Sequence, residues 1–274
     1  MENNVTTLEL SDLRLHVFSA SEENFLINSL VYELAGQLVV IDGQMFVPDA
    51  RAFADFIEGL GKPVSRFILS HNHPDHYLGF EVLCERFPGT PLAALPRATR
   101  YVAELGPLVI EQRKAEMGEL VASRAVVPDR ELRSGPETIG GVRFVFEGYD
   151  DAEAESQVVI HLPDQGASAV FDLACRAEHH CFTVLPEFDH WISVLERVRE
   201  GAGGAQLLIL GHGAPTDLGA IAATIEYLRA AKDAYAQASD HEDYAARLKA
   251  RFPGRGQEKW IDLAAMLLYR IIYP

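Results

Sequence analysis

Cysteine is scarce in this 274-residue sequence: Cys84, Cys175 and Cys181 are odd in number. They supply neither a disulfide framework nor a paired-thiol zinc site, so buried free thiols are expected. Positive charge is also short, 24 Lys+Arg against 40 Asp+Glu. The resulting formal charge of -16 repels nucleic acid phosphates and anionic lipid surfaces, so no nucleic-acid partner is expected. Long apolar runs are missing too. None approaches the roughly 20 residues of a membrane helix, and no early segment joins a basic start to an apolar stretch of signal-peptide length. A cytoplasmic protein without membrane contact is the expectation. No repeat, low-complexity tract or Gly/Ser/Pro linker divides the chain, and 48% hydrophobic content suffices for one substantial core.

What is present begins with apolar runs rich in β-branched residues. "LRLHVFSA" (13–20), "FLINSLVYEL" (25–34) and "QLVVIDG" (37–43) predict antiparallel strands. "VPDARAFADFIEGLG" has helical spacing, with Asp49 a candidate cap and Gly61 a stop, ahead of the short strand "RFILS". Helical spacing recurs in "GFEVLCERFPG", over 99–123 with a break expected at Gly106 and Pro107, and in "FDHWISVLERVREG", where Trp191 is a core candidate. Further strands are predicted at "PLAAL", "VRFVFEGY", "SQVVIHLP", "ASAVFDLA" and "AQLLILGHG". From Leu218 onward the chain reads as helical, interrupted at 252–256, and "IDLAAMLLYRIIY" is apolar enough to dock on the core. Strands then helices, twice over, imply two sheets face to face with helices outside.

The chemistry concentrates in "SHNHPDHYLGF" (70–80), where His71, His73, Asp75 and His76 follow a buried strand into a loop and the first turn of a helix. Alternate residues of an extended segment point the same way, so His71 and His73 can hold one ion together. Asp75 and His76, displaced where the chain starts to coil, can hold a second. Pro74 keeps His73 extended. Imidazole and carboxylate are ligands that zinc, iron and manganese accept. A histidine-rich helix cap is the alternative, but it would spend three of the ten histidines on capping. Two other strand ends add candidates. Asp172, in "SAVFDLA", is either a carboxylate bridging two ions or a salt-bridged aspartate. His212, between Gly211 and Gly213 in "LLILGHG", is either a ligand or a solvent-facing turn residue.

"HNHPDH" resembles the H-x-H-x-D-H motif of the metallo-β-lactamase superfamily. The order of "VVIDG", "RFILSHNHPDHYLG", "VVIHLPDQGASAVFDLA" and "LLILGHG" is similar to that family over about residues 17–215. The resemblance implies an α/β protein, an αββα four-layer sandwich of the metallo-β-lactamase type over 1–216, with extra C-terminal helices over 217–274 packed on the same domain. It also implies two divalent metal ions at one edge, zinc with manganese or iron as alternatives. His71 and His73 would serve the first, Asp75, His76 and His212 the second, and Asp172 would bridge. Asp42, in "VVIDG", would support the metal loops.

One departure stands out. The family usually presents a histidine just before the strand written here "SQVVIHLPDQ", whereas this chain has "GYDDAEAESQ" and no histidine between His76 and His161. Alignment on Pro163 and Asp164 puts Glu153 at that position, with Glu155 and Asp151 as neighbours. Either a glutamate completes the first site, or that site is weak or empty and the second works alone. Two divalent ions bring about +4, which Asp75, Asp172, a glutamate and one hydroxide cancel. Such a site is a weaker Lewis acid than its histidine counterpart and favours harder ions.

His179, with His180 as alternate, is a candidate donor to a reacting oxygen or an ordinary loop histidine, and Tyr77 and Tyr149 flank the metal segments as possible donors or packing residues. The expected activity is a metallo-hydrolase: a metal-bound hydroxide, oriented by Asp75, attacks an ester, lactone, thioester or amide-type small-molecule substrate. Its rivals are a mononuclear iron thiol or persulfide oxygenase, and a catalytically degenerate binding protein whose C-terminal helices form a homodimer face or a lid.

Overall fold

In the computed structural model, which describes residues 4–270, period-two alternation decides how the strands are used. Leu15 and Val17, Leu30 and Tyr32, and Val39 and Ile41 point to one side of a first sheet, into a core shared with Phe144, Phe146, Val158, Ile160 and Leu162 of a second sheet. Phe18, Val31, Leu38 and Val40 point to the other side, under helices.

The first sheet runs in chain order: β1 (Asn4–Glu9), β2 (Arg14–Ser19), β3 (Asn28–Glu33), β4 (Leu38–Ile41), β5 (Val64–Ile68), β6 (Leu92–Ala94) and β7 (Arg130–Glu131). β1 to β4 pair antiparallel, and β4 to β7 pair parallel through helical crossovers. The second sheet holds β8 (Gly135–Ile139), β9 (Val142–Asp150), β10 (Ser156–Leu162), β11 (Ala167–Ala169) and β12 (Leu207–Ile209); only β11 and β12 pair parallel.

Helices α1 (Val47–Gly59), α2 (Pro74–Tyr77), α3 (Phe80–Arg86) and α4 (Pro96–Met117) belong to the first sheet's side, where Phe53, Ile57, Leu83 and Val102 fill its outer face. Helices α5 (Phe188–Gly201), α6 (Gly219–Gln237), α7 (His241–Arg251) and α8 (Glu258–Leu268) cover the second through Trp191, Leu228, Leu248 and Ile261. The result is the expected α/β sandwich of four layers. The C-terminal helices share one continuous core with α5 and β10. Each fully buried aliphatic side chain there contributes about 1.5–3 kcal/mol. Trp191 lies in this core, with its indole N–H donating to the Leu173 carbonyl at 2.9 Å. Among the described residues no helix is long and apolar enough to cross a membrane.

Several boundaries differ from the sequence reading. The strand expected from Phe25 starts at Asn28, because Phe25 and Leu26 are both left-handed, at φ 60° and 54°. The break expected at Gly106 and Pro107 is absent: α4 runs through Pro107, and Gly106 instead lets the helix approach Ala125. Asp49 does not cap α1; it is buried and accepts from the Asn24 amide at 2.6 Å. The helical tail breaks a second time before α7, where the Asp240 carboxylate caps the Asp243 N–H at 2.9 Å. The end of the predicted "IDLAAMLLYRIIY" helix, 271–274, lies outside the described residues.

The expectation for cysteine is corrected. Cys175 and Cys181 form a disulfide, with Cα atoms 5.6 Å apart, and only Cys84 is free. An odd count leaves one thiol over but does not forbid a pair: across a separation of six residues the chain folds back in a turn at 177–178 that brings the Cα atoms within bridging range.

Candidate metal centre

Five segments meet at one edge of the sandwich. β4 ends at Ile41, and Asp42 turns left-handed at φ 63°, which aims its carboxylate across the end of β5. There it accepts from the Ser70 N–H at 2.8 Å, the Ser70 hydroxyl at 2.7 Å and His76 Nδ1 at 2.9 Å. His73 stands in extended geometry directly before α2, as Pro74 requires, and the short helix carries Asp75 and His76. The two sheets are tied at this edge: the Val158 N–H donates to the Ser70 carbonyl at 2.8 Å, and the Asn28 N–H to the Gly211 carbonyl at 2.7 Å. The Asn28 amide also holds the carbonyls of Leu210 and Gly213, which fixes the turn presenting His212.

Asp172 lies past the end of β11 in a single 3-10 turn, not on the strand, because Phe171 adopts φ 49° and swings the chain off the sheet. Its Oδ2 sits 3.6 Å from His71 Nε2, 3.6 Å from His76 Nε2 and 3.2 Å from His212 Nε2. Asp75 Oδ2 is 3.5 Å from His76 Nε2 and 3.3 Å from His212 Nε2. Glu153, buried in the β9–β10 loop, reaches 3.3 Å from His73 Nδ1. Two sets of ligand atoms result, each within 4.8 Å internally: His71, His73, Glu153 and Asp172, and Asp75, His76, Asp172 and His212. Asp172 is common to both.

The hydrogen bonds behind the rings decide which nitrogen faces inward. Ser70 gives its proton to Asp42, so its oxygen accepts from His71 Nδ1 at 2.8 Å. His76 Nδ1 donates to Asp42, and His212 Nδ1 donates to the Phe25 carbonyl at 2.8 Å. The paired left-handed residues Phe25 and Leu26 accompany that last contact. All three rings therefore turn Nε2 toward the cluster, the nitrogen that a metal would take in place of a proton.

These residues fit divalent cations. His71 Nε2, His76 Nε2, both Glu153 oxygens and Asp172 Oδ1 are buried without a hydrogen-bond partner. Such orphaned groups are costly unless something binds them. Charge crowding makes the same point. Burial, then the carboxylates of Asp172 and Asp75, push Glu153 well above the usual carboxylate range. Burial would lower His76, but Asp172, Asp75 and Asp42 outweigh it and hold it well above its ordinary value. Burial opposes the shift at His212 as well, yet Asp172 and Asp75 raise it to about 9. Protons stand in for cations here, and a metal would displace them.

Of the acidic alternatives, Asp151 is exposed and bound by Arg97 at 2.6 Å, and Glu155 belongs to neither ligand set. His179 lies in the cavity beside Asp172 and His212 without entering either set. His180 lines that cavity too, but its Nδ1 is engaged by the Tyr227 hydroxyl at 3.1 Å. Tyr77 is buried, and the Tyr149 hydroxyl donates to Glu147 at 2.6 Å. Sequence reasoning missed Phe182 and Trp260, which line the same cavity. Trp260 directly precedes the apolar segment "IDLAAMLLYRIIY", and no motif around it marks it for the site.

The sequence profile of the metallo-β-lactamase superfamily matches residues 24–212. A metallo-β-lactamase from Pontibacter korlensis superposes with a TM-score of 0.62 at 17% identity, covering 83% of this chain and 99% of its own. The metallo-β-lactamase FIM-1 from Pseudomonas aeruginosa in its mono-zinc form gives 0.60 at 16%, covering 83% and 96%. DIM-1 metallo-β-lactamase gives 0.60 at 16%, covering 84% and 98%.

Proposed function

This chain belongs to the metallo-β-lactamase superfamily, and from that premise we propose that it is a hydrolase of small esters, lactones, thioesters or amides working with two divalent metal ions. The observation that carries this reading is Asp172, whose Oδ2 lies within 3.6 Å of three inward Nε2 atoms and belongs to both ligand sets. His71, His73 and Glu153 would hold the first ion, and Asp75, His76 and His212 the second. Bound there, the ions supply Lewis acidity and lower the pKa of a water toward neutrality.

The chain's own residues do the rest. Asp75, more open than Asp172 at 20% against 6% side-chain exposure, orients the attacking water. Burial and the nearby Arg176 lower the His179 pKa, so this ring serves as a neutral donor to the oxygen that gains charge. Ser70, Asp42 and the Phe25 carbonyl keep the ligand rings from rotating. With Glu153 in place of a histidine, zinc competes less exclusively with manganese and iron.

Zinc titration of chelator-stripped protein, with elemental analysis after dialysis, should reach two equivalents per chain, and hydrolysis of aryl esters or lactones should return with them. Uptake below one equivalent would sink the reading. Glu153 also supports a second reading. The first set holds two histidines and two carboxylates, Glu153 and the shared Asp172; His71 and His73 with one of these carboxylates would give the donor pattern of mononuclear iron oxygenases. That reading expects iron in the protein purified under air and oxygen uptake with a thiol or persulfide.

A further inference from the structure

We propose that Trp260 and Phe182 form an aromatic gate over the metal centre that selects substrates with an uncharged, apolar acyl group. The proposal rests on the metal-hydrolase reading above and names the substrate class of that site.

The two rings cover both ligand sets at once. Trp260 stands edge-on to His212, centroids 4.4 Å apart at 78°, and Phe182 edge-on to His73, at 5.9 Å and 85°. They touch each other at 5.5 Å, and Phe25 backs Trp260 at 5.3 Å. Trp260 and Phe182 are half-buried and line the same cavity as Glu153, Asp172 and His212. Behind them the cavity measures about 30 Å³, room for about two waters. An acyl group that reaches the ligands through this cavity lies against the two rings, so the rings bear on its chemistry.

Charge points the same way. Arg176 lines the cavity, but its Nε and Nη2 are on Glu178 at 3.2 and 3.3 Å and its Nη1 is on the Ala214 carbonyl at 2.9 Å. His180 is engaged by Tyr227. A negatively charged acyl group would find no uncommitted cation among the residues that line the cavity. An alkyl or aryl group would exchange water for aromatic surface, worth about fourfold in affinity per buried methylene.

The gate has a defined mounting. Trp260 sits in the first turn of α8, directly after the turn at 252–257, where Gly254 and Gln257 are left-handed at φ 82° and 62°. That turn is strapped to the disulfide loop: the Gly256 N–H donates to the Glu178 carbonyl at 2.7 Å, and the His180 N–H to the Gly256 carbonyl at 3.1 Å. Phe182 follows Cys181 directly, so one assembly positions both rings.

The test uses zinc-loaded full-length protein and alkyl hydroxamates, which chelate zinc without being hydrolysed, from acetohydroxamate to octanohydroxamate, with an ω-carboxylate counterpart of each. Calorimetric titration should show affinity rising at least tenfold along the alkyl series and each ω-carboxylate binding more weakly than its alkyl partner. Trp260→Ala and Phe182→Ala should flatten the series while acetohydroxamate changes less than threefold. Trp260→Phe, which keeps an aromatic face, should preserve the slope and guards against loss of folding. A flat alkyl series in the wild type, tighter ω-carboxylates, or no binding by any hydroxamate would overturn the gate. A steep series in a protein that hydrolyses no ester or lactone would uphold the gate and reject the hydrolase reading instead.

Discussion

Asp42 Oδ2 accepts a 2.9 Å hydrogen bond from His76 Nδ1, while the same carboxylate binds the N–H and hydroxyl of Ser70. One buried aspartate thus sets the tautomer of His76 and, through Ser70, of His71. Asp42→Ala should weaken zinc binding about 10- to 100-fold although Asp42 belongs to neither ligand set. Competition against a chromophoric chelator measures it; an unchanged affinity would remove Asp42 from the metal-organising role.

Glu153→His adds an imidazole where a crowded carboxylate stands, and raises the charge of the site by one unit. Zinc affinity relative to manganese should rise about tenfold or more, since imidazole suits zinc and carboxylate suits manganese. Parallel titrations with the two ions read the ratio directly. Glu153→Gln should instead stabilise the metal-stripped protein near pH 7, because burial, Asp172 and Asp75 already oppose ionisation there.

Gly211 has no room for a side chain. A Cβ there would lie 1.7 Å from Asp172 Oδ1 and 3.1 Å from His76 Cε1. Gly211→Ala should therefore displace Asp172, lower stability by about 1–3 kcal/mol and reduce uptake to one zinc or fewer. Urea unfolding and elemental analysis check both halves.

Cys175 and Cys181 close a short loop, and loop-closure entropy gives such a crosslink about 2 kcal/mol. Thiol titration under denaturing conditions should find one free thiol, that of Cys84, and three after reduction. Reduction, or Cys175→Ser with Cys181→Ser, should lower the unfolding midpoint and loosen the strap that seats α8. Three free thiols before reduction would refute the pairing.

Burial, with Arg255 and Lys249 nearby, lowers His180 from 6.5 to about 4. Between those values the unfolded chain binds a proton that the folded protein refuses. The stabilisation is complete above about pH 6.5 and is lost as pH falls toward 4, by about 2 kcal/mol once solvent screening is allowed for. His180→Phe keeps a ring against Tyr227 and should flatten that part of the urea midpoint against pH; an unchanged slope relative to wild type would assign the acid sensitivity elsewhere.

Much of the architecture was legible in the chain. Alternation in β2, β3 and β4 sorts residues onto two faces because a strand's side chains have period two, and that pattern requires a layer on each side of the sheet. β7 left no such trace, since two exposed residues carry no period. The site divides in the same way. His71, His73, Asp75 and His76 are declared by spacing within six positions, where covalent geometry nearly fixes their directions.

What the sequence by itself determined, then, is everything set by short separations: the histidine motif, the strand faces and the helical stripes. Tertiary structure alone decided that Cys175 finds Cys181 and that Trp260 returns to lie against His212, and it turns inward the Glu153 that alignment singles out over Asp151 and Glu155. The physical reason is that a carboxylate, a thiol or an indole has the same local preferences whether it faces solvent or a partner. Its choice is made by where distant turns carry the chain, and by which arrangement leaves the fewest buried charges and polar atoms unanswered.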